Sequence, residues 1–108
     1  KGKGHPWEKA KCFDNAAVVS EFILKEDFTL SLDAKIVLHV NGELRQNGPL
    51  NDMIFKPAQI VSEISKMMTI EKGDLVFTGT PAGVGRVTSG DKLEGFVEGI
   101  PVVKATVK

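Results

Sequence analysis

Thr78-Gly79-Thr80 places two hydroxyls around a glycine, and Pro81, Gly83 and Gly85 follow closely. Glycine admits positive φ and has no Cβ, so such a loop lets backbone N–H groups converge on an anionic oxygen with the hydroxyls of Thr78 and Thr80 beside them. The chemistry on offer is the holding of a carboxylate, carbonyl or phosphate oxygen. Phosphate fits least well. The loop has no Gly-x-x-x-x-Gly-Lys-Ser/Thr spacing and no Gly-x-Gly-x-x-Gly opening a helix, and it runs into another turn over residues 86–90. From the residues alone the stretch also reads as an elaborate turn between two strands, and both readings stand.

Other chemistry-bearing residues are sparse. Cys12 is the single cysteine, so it forms no internal disulfide and has no partner for a structural zinc site, which fits a reducing compartment. His5 reads as a surface residue. His39 has no second histidine, cysteine or carboxylate at ligand spacing and reads as structural.

The elements that must position the loop follow from periodicity. The opening residues 1–14 are polar and turn-rich and read as a loop or lid. Residues 16–24 form a β-prone apolar run, a strand buried on much of both faces. Ile36, Leu38 and Val40 alternate with Lys35, Val37 and His39, and Asn41-Gly42 predicts a hairpin returning over residues 43–46. Ile60, Val61, Ile64, Met67 and Met68 then fall on one face of a helix that starts near Pro57, its methionines filling core. Gly73-Asp74 is a turn, and residues 75–78 read as a short strand delivering the glycine-rich loop. Two further strands are expected over residues 91–97 and 102–107, joined through Glu98-Gly99-Ile100-Pro101. The architecture is β-rich α+β, with strands around one core and a single amphipathic helix.

At 108 residues, 42% hydrophobic and 26% charged, the chain has the composition of an ordinary soluble segment the length of one small domain. The formal charge is zero, which excludes an electrostatic footprint for nucleic acid or an anionic membrane. The apolar runs are too short to cross a bilayer, and the basic start lacks an apolar segment behind it. A cytoplasmic protein is the expectation.

The string Gly73-Asp74-Leu75-Val76-Phe77-Thr78-Gly79-Thr80-Pro81-Ala82-Gly83-Val84-Gly85 resembles the signature loop of the fumarylacetoacetate hydrolase family. Trp7-Glu8-Lys9-Ala10-Lys11-Cys12-Phe13-Asp14 resembles that family's Trp-x-x-x-Lys-x-Phe-Asp segment, with Cys12 where a small residue is usual. Val40-Asn41-Gly42-Glu43-Leu44-Arg45-Gln46 resembles its Val-Asn-Gly-Glu-x-x-Gln hairpin, and Asn51-Asp52-Met53-Ile54-Phe55 its polar-polar-Met-Ile-Phe segment, so the resemblance covers nearly the whole chain.

The resemblance implies part of a mixed β-sandwich roll. It makes Lys11 the catalytic cation over the site, where an ammonium stabilises a developing enolate or oxyanion. It makes Thr80, with Gly79 and Pro81, the holder of a substrate oxygen, and leaves Asp14 as a structural partner or turn cap. The implied cofactor is Mg²⁺, or Mn²⁺ or Ca²⁺, which suits carboxylate oxygens. In the family those ligands are a Glu-x-Glu pair and a later aspartate upstream of the Trp-x-x-x-Lys motif. No Glu-x-Glu occurs here, so residues 1–108 are expected to be the C-terminal portion of one catalytic domain with its metal ligands elsewhere.

The implied activity is C–C hydrolysis of acylpyruvates or decarboxylation of oxaloacetate, both through a metal-bound enolate. Isomerisation of a catechol-pathway dienoate is the alternative within enzymes. A catalytically silent β-domain binding an anion or a partner chain is the alternative outside them. The expected partners are a small oxo acid and a second copy in a homodimer, without nucleic acid or membrane. In a eukaryote the expected compartment extends to the mitochondrion.

Overall fold

The computed structural model describes Gly4 and residues 7–108. His5 and the start of the basic opening lie outside the described residues. The element order is α1 (Trp7–Lys11), β1 (Lys35–Val40), β2 (Glu43–Pro49), a 3₁₀ turn (Leu50–Asp52), α2 (Pro57–Met67), β3 (Lys92–Val97) and β4 (Ile100–Thr106). The four strands form one antiparallel sheet in the order β2-β1-β3-β4.

Two tight turns set this sheet. Asn41 and Gly42 sit at φ 52° and 81°, the left-handed pair of a two-residue hairpin whose twist suits its flanking strands. Glu98 and Gly99 repeat the device at 55° and 77° between β3 and β4. The second hairpin is therefore tighter than the sequence indicates, and β4 begins at Ile100. Pro101 is accommodated because β4 is an edge strand, where a missing N–H is tolerated.

The β1–β2 ladder pairs Leu38 with Gln46 but His39 with Leu44, so Arg45 is an extra residue bulged out of β2. Past the bulge β2 continues to Pro49, three residues beyond the predicted return strand. Gln46 thereby shares a sheet face with Leu38, and Gly48 with Ile36. On the opposite face the rings of His39 and Phe96 lie 5.1 Å apart.

Four expectations are corrected. Residues 16–24 and 75–78 form no strand, because a β-prone run becomes a strand only beside a partner and neither run has a ladder partner among the described residues. The opening carries a short helix, α1, where a loop was expected. Met67 and Met68 are 75% and 62% exposed, so they fill no core here. Helix α2 does start at Pro57, and Gln59 Oε1 accepts the Lys56 amide at 2.9 Å to close its first turn.

Among the described residues the buried apolar side chains are only Ala34, Val40 and Leu50. The accessible surface is 9134 Å², against about 5,900 Å² for a self-contained chain of this mass. The radius of gyration is likewise large, 15.3 Å against about 13 Å. Val18, Phe22, Phe77 and Val84 are each more than half exposed.

Candidate active site

The glycine-rich loop runs across the sheet face that carries Ile36, Leu38 and Val40, and β2 holds it at four points. Gly48 is the first, since a Cβ there would stand 2.7 Å from Pro81 Cβ and only glycine lets the proline ring lie flat on the strand. At the second, Gln46 Nε2 donates to Thr80 Oγ1 and to the Pro81 carbonyl, both at 2.9 Å. Gly83 is the third: it has φ +104° and lies so close to the Arg45 carbonyl that any side chain would collide with it. Fourth, Arg45 Nη1 reaches the Arg86 carbonyl at 3.4 Å and passes directly over Gly85.

Arg45 and Gln46 are consecutive, and in a regular strand they would face opposite sides. The bulge lets both address one loop. The far end of the loop is tied by Asp91, whose Oδ2 accepts the Thr88 amide at 2.9 Å. Asp91 Oδ1 accepts from Asn41 Nδ2 at 2.9 Å, and these bonds, led by the Thr88 amide, hold its pKa below the usual carboxylate value.

Between the loop and the segment after β2 lies a cleft of about 330 Å³. One wall is Thr78, Gly79, Thr80 and Pro81, and the other is Met53, Ile54 and Phe55, with Ile36 and Ile60 also lining it. Lys56 Nζ braces the second wall by donating to the carbonyls of Asn51 at 2.9 Å and Met53 at 3.3 Å. The lining is mostly apolar with a few hydroxyls, amides and the Asp52 carboxylate, the make-up of a small-molecule site.

Of the residues singled out in the sequence, Gly79, Thr80 and Pro81 come together on one wall. Lys11 sits at the end of α1, exposed, and is not among the residues lining the cleft. Asp14 lies in the turn closed by the Ala16 amide on the Phe13 carbonyl. Asp52, which lines the cleft, and Gln46, which holds Thr80 and Pro81 without lining it, are residues whose roles the sequence does not announce. Nothing in composition signals that Gln46 is buried, because a bulge shifts strand parity invisibly; its place in the Val-Asn-Gly-Glu-x-x-Gln match was the available clue.

Among the described residues no three histidine, cysteine, aspartate or glutamate side chains converge. The described residues therefore do not by themselves supply a complete set of donors for a divalent cation. No helix among the described residues is long and apolar enough to cross a membrane.

Comparison with known proteins places these features in a family. The mitochondrial oxaloacetate tautomerase FAHD1 of Mus musculus is 43% identical over 108 residues, covering 100% of this chain and 49% of its own. Oxaloacetate tautomerase YcgM of Escherichia coli is 48% identical over 94 residues, covering 86% and 43% respectively. The crystal structure of fumarylpyruvate hydrolase from Pseudomonas aeruginosa in complex with Mn²⁺ and pyruvate matches with a TM-score of 0.89 at 36% identity, over 98% of this chain and 46% of that one. This chain spans about half the length of the relatives it matches. The family description "Fumarylacetoacetate (FAA) hydrolase C-terminal" matches residues 1–108, and the chain belongs to the fumarylacetoacetate hydrolase family.

Proposed function

We propose that the protein containing this segment acts on a small 2-oxo or 1,3-diketo acid by enolate chemistry, as keto–enol proton transfer, C–C hydrolysis or decarboxylation. The observation that carries the reading is Thr80 on the wall of an apolar cleft, its hydroxyl held by a buried glutamine. A hydroxyl so placed binds and orients a carboxylate or carbonyl oxygen, while Met53, Ile54 and Phe55 offer an apolar wall to the rest of the substrate.

Lys11 belongs to the same reading as the cation that stabilises negative charge where a proton leaves or a carbon–carbon bond breaks. Dependence on Mg²⁺ or Mn²⁺ is a further part of it, with the carboxylate ligands in residues beyond this segment and the segment forming the C-terminal portion of one catalytic domain. The cation supplies electrophilic polarisation of the oxo group when bound. The relatives support the substrate class, among them oxaloacetate tautomerases and a fumarylpyruvate hydrolase crystallised with Mn²⁺ and pyruvate. A homodimer in the cytoplasm or mitochondrion completes the proposal, the latter because FAHD1 is named mitochondrial.

The test is oxalate affinity and oxaloacetate turnover of the full-length protein with Thr80→Val and Thr80→Ser. Valine should weaken oxalate binding by roughly 1–3 kcal/mol and serine should restore most of it. Equal affinity in all three proteins would return the loop to a purely structural role.

A further inference from the structure

We propose that Gln46 is a positioning residue that fixes the Thr80 hydroxyl as a donor toward the cleft, so that the site selects ligands presenting an unprotonated oxygen there. The proposal rests on Thr80 touching the ligand and adds a polarity and a cause to that contact.

Gln46 is 9% exposed and is the one buried polar side chain among the described residues. Its amide has an accepting oxygen at one end and two N–H donors at the other. The Pro81 carbonyl, 2.9 Å from Nε2, can only accept, and this fixes which end faces the loop. A flipped amide would set two acceptors against each other next to a buried side chain, at the cost of an unsatisfied group. The second N–H of the same nitrogen therefore points at Thr80 Oγ1, also 2.9 Å away.

A hydroxyl has a single proton. Thr80 Oγ1 accepts from Gln46 and cannot donate back to a nitrogen whose hydrogens already point at it. Its proton is left for another acceptor, which a ligand in the cleft that Thr80 lines can supply, and accepting one bond polarises the O–H for the other. A carboxylate or carbonyl oxygen satisfies that proton, whereas an N–H group in the same place leaves it unpaired. In the same strand the bulge at Arg45 brings the glutamine to this face, and Gly48 leaves room for the Pro81 ring beside it.

The experiment compares oxalate with oxamate, in which an amide replaces one carboxylate, on the full-length protein by calorimetry. Wild type should prefer oxalate, and Thr80→Val should shrink that preference by about tenfold while Thr80→Ser keeps it. Gln46→Met should shrink it by about threefold or more, and the Gln46→Met/Thr80→Val pair should be no worse than Thr80→Val alone. A merely structural Gln46 would lower the melting temperature and leave the preference intact, which overturns the proposal while the Thr80 contact stands. Thr80→Val weakening both ligands equally overturns the donor polarity, a decision available even where Gln46→Met does not fold. Thr80→Val weakening neither ligand defeats the underlying reading of Thr80 itself.

Discussion

Asn41 and Asp91 grip one another across fifty residues of sequence: Asn41 Nδ2 donates to Asp91 Oδ1 at 2.9 Å, and Asn41 Oδ1 accepts the Lys92 amide at 2.9 Å. The hairpin turn of β1–β2 is thus fastened to the first residues of β3. Because Asp91 also holds Thr88, one carboxylate joins the turn, the strand and the exit of the glycine-rich loop.

That carboxylate gives the fold a pH dependence of known sign. The Thr88 amide and then Asn41 lower the Asp91 pKa in the folded state, so the group binds protons more weakly folded than unfolded. Its contribution is complete above the unfolded value of about 3.9 and is lost as pH falls through the lower folded value. Wild-type full-length protein should therefore lose more stability than Asp91→Asn on acidification below about pH 4, as measured by urea melts along a pH series. Parallel acid limbs would show that Asp91 is not the group responsible.

Gly83→Ala should damage both fold and site. The residue has φ +104°, and an added Cβ would collide with the Arg45 carbonyl, so a methyl has neither the backbone conformation nor the room. A loss of about 1–3 kcal/mol is expected from strain of this kind, together with weaker oxalate binding as the loop lifts from β2. Gly79→Ala offers the contrast: φ is +99° but nothing lies within 4 Å of the added carbon, so the backbone cost appears without the collision. Equal destabilisation by the two would place the whole effect in the backbone angle.

For Lys11→Met the expected result is a fall in kcat on the order of 10²–10³ with an unchanged metal titration, the signature of a lost electrostatic contact to the transition state. Oxaloacetate turnover near wild type would remove Lys11 from the chemistry.

Residues 1–108 expressed alone should aggregate or order only partly and should not turn over oxaloacetate. Val18, Phe22, Phe77 and Val84 are 53%, 77%, 66% and 75% exposed, and unpaired apolar runs invite association. Light scattering, Mg²⁺ calorimetry and an activity assay check this. A soluble monomer that binds Mg²⁺ tightly and catalyses would contradict the placement of the metal ligands outside the segment.

The sheet was legible because its signals are local. Asn41-Gly42 dictates a two-residue turn, the alternation from Lys35 to Val40 dictates a two-faced strand, and Pro57 marks the first turn of α2. Residues 16–24 and 75–78 were misread for the opposite reason: whether an apolar run becomes a strand depends on a neighbour that local sequence does not specify. The same holds for Met67 and Met68, whose helical spacing gives a face but not what covers it. In the cleft, Thr80, Gly79 and Pro81 were visible through loop composition and the family resemblance. The brace behind them was not, since Gln46 reads as a solvent-facing residue until the bulge is counted.

Because β2 carries one residue more than its partner between Leu44 and Gln46, the cleft depends on a parity as well as on residue types. Adding one residue between the Asn41-Gly42 turn and Gln46, or losing the bulge at constant length, would swing the glutamine to the side of His39 and leave Thr80 and Pro81 unheld. A change of two would preserve the phase. Two relatives with identical glycine-rich loops and the same bulge but hairpins of odd length difference would therefore not share this site, so the count of residues from turn to glutamine is as much a part of the site's inheritance as the threonine.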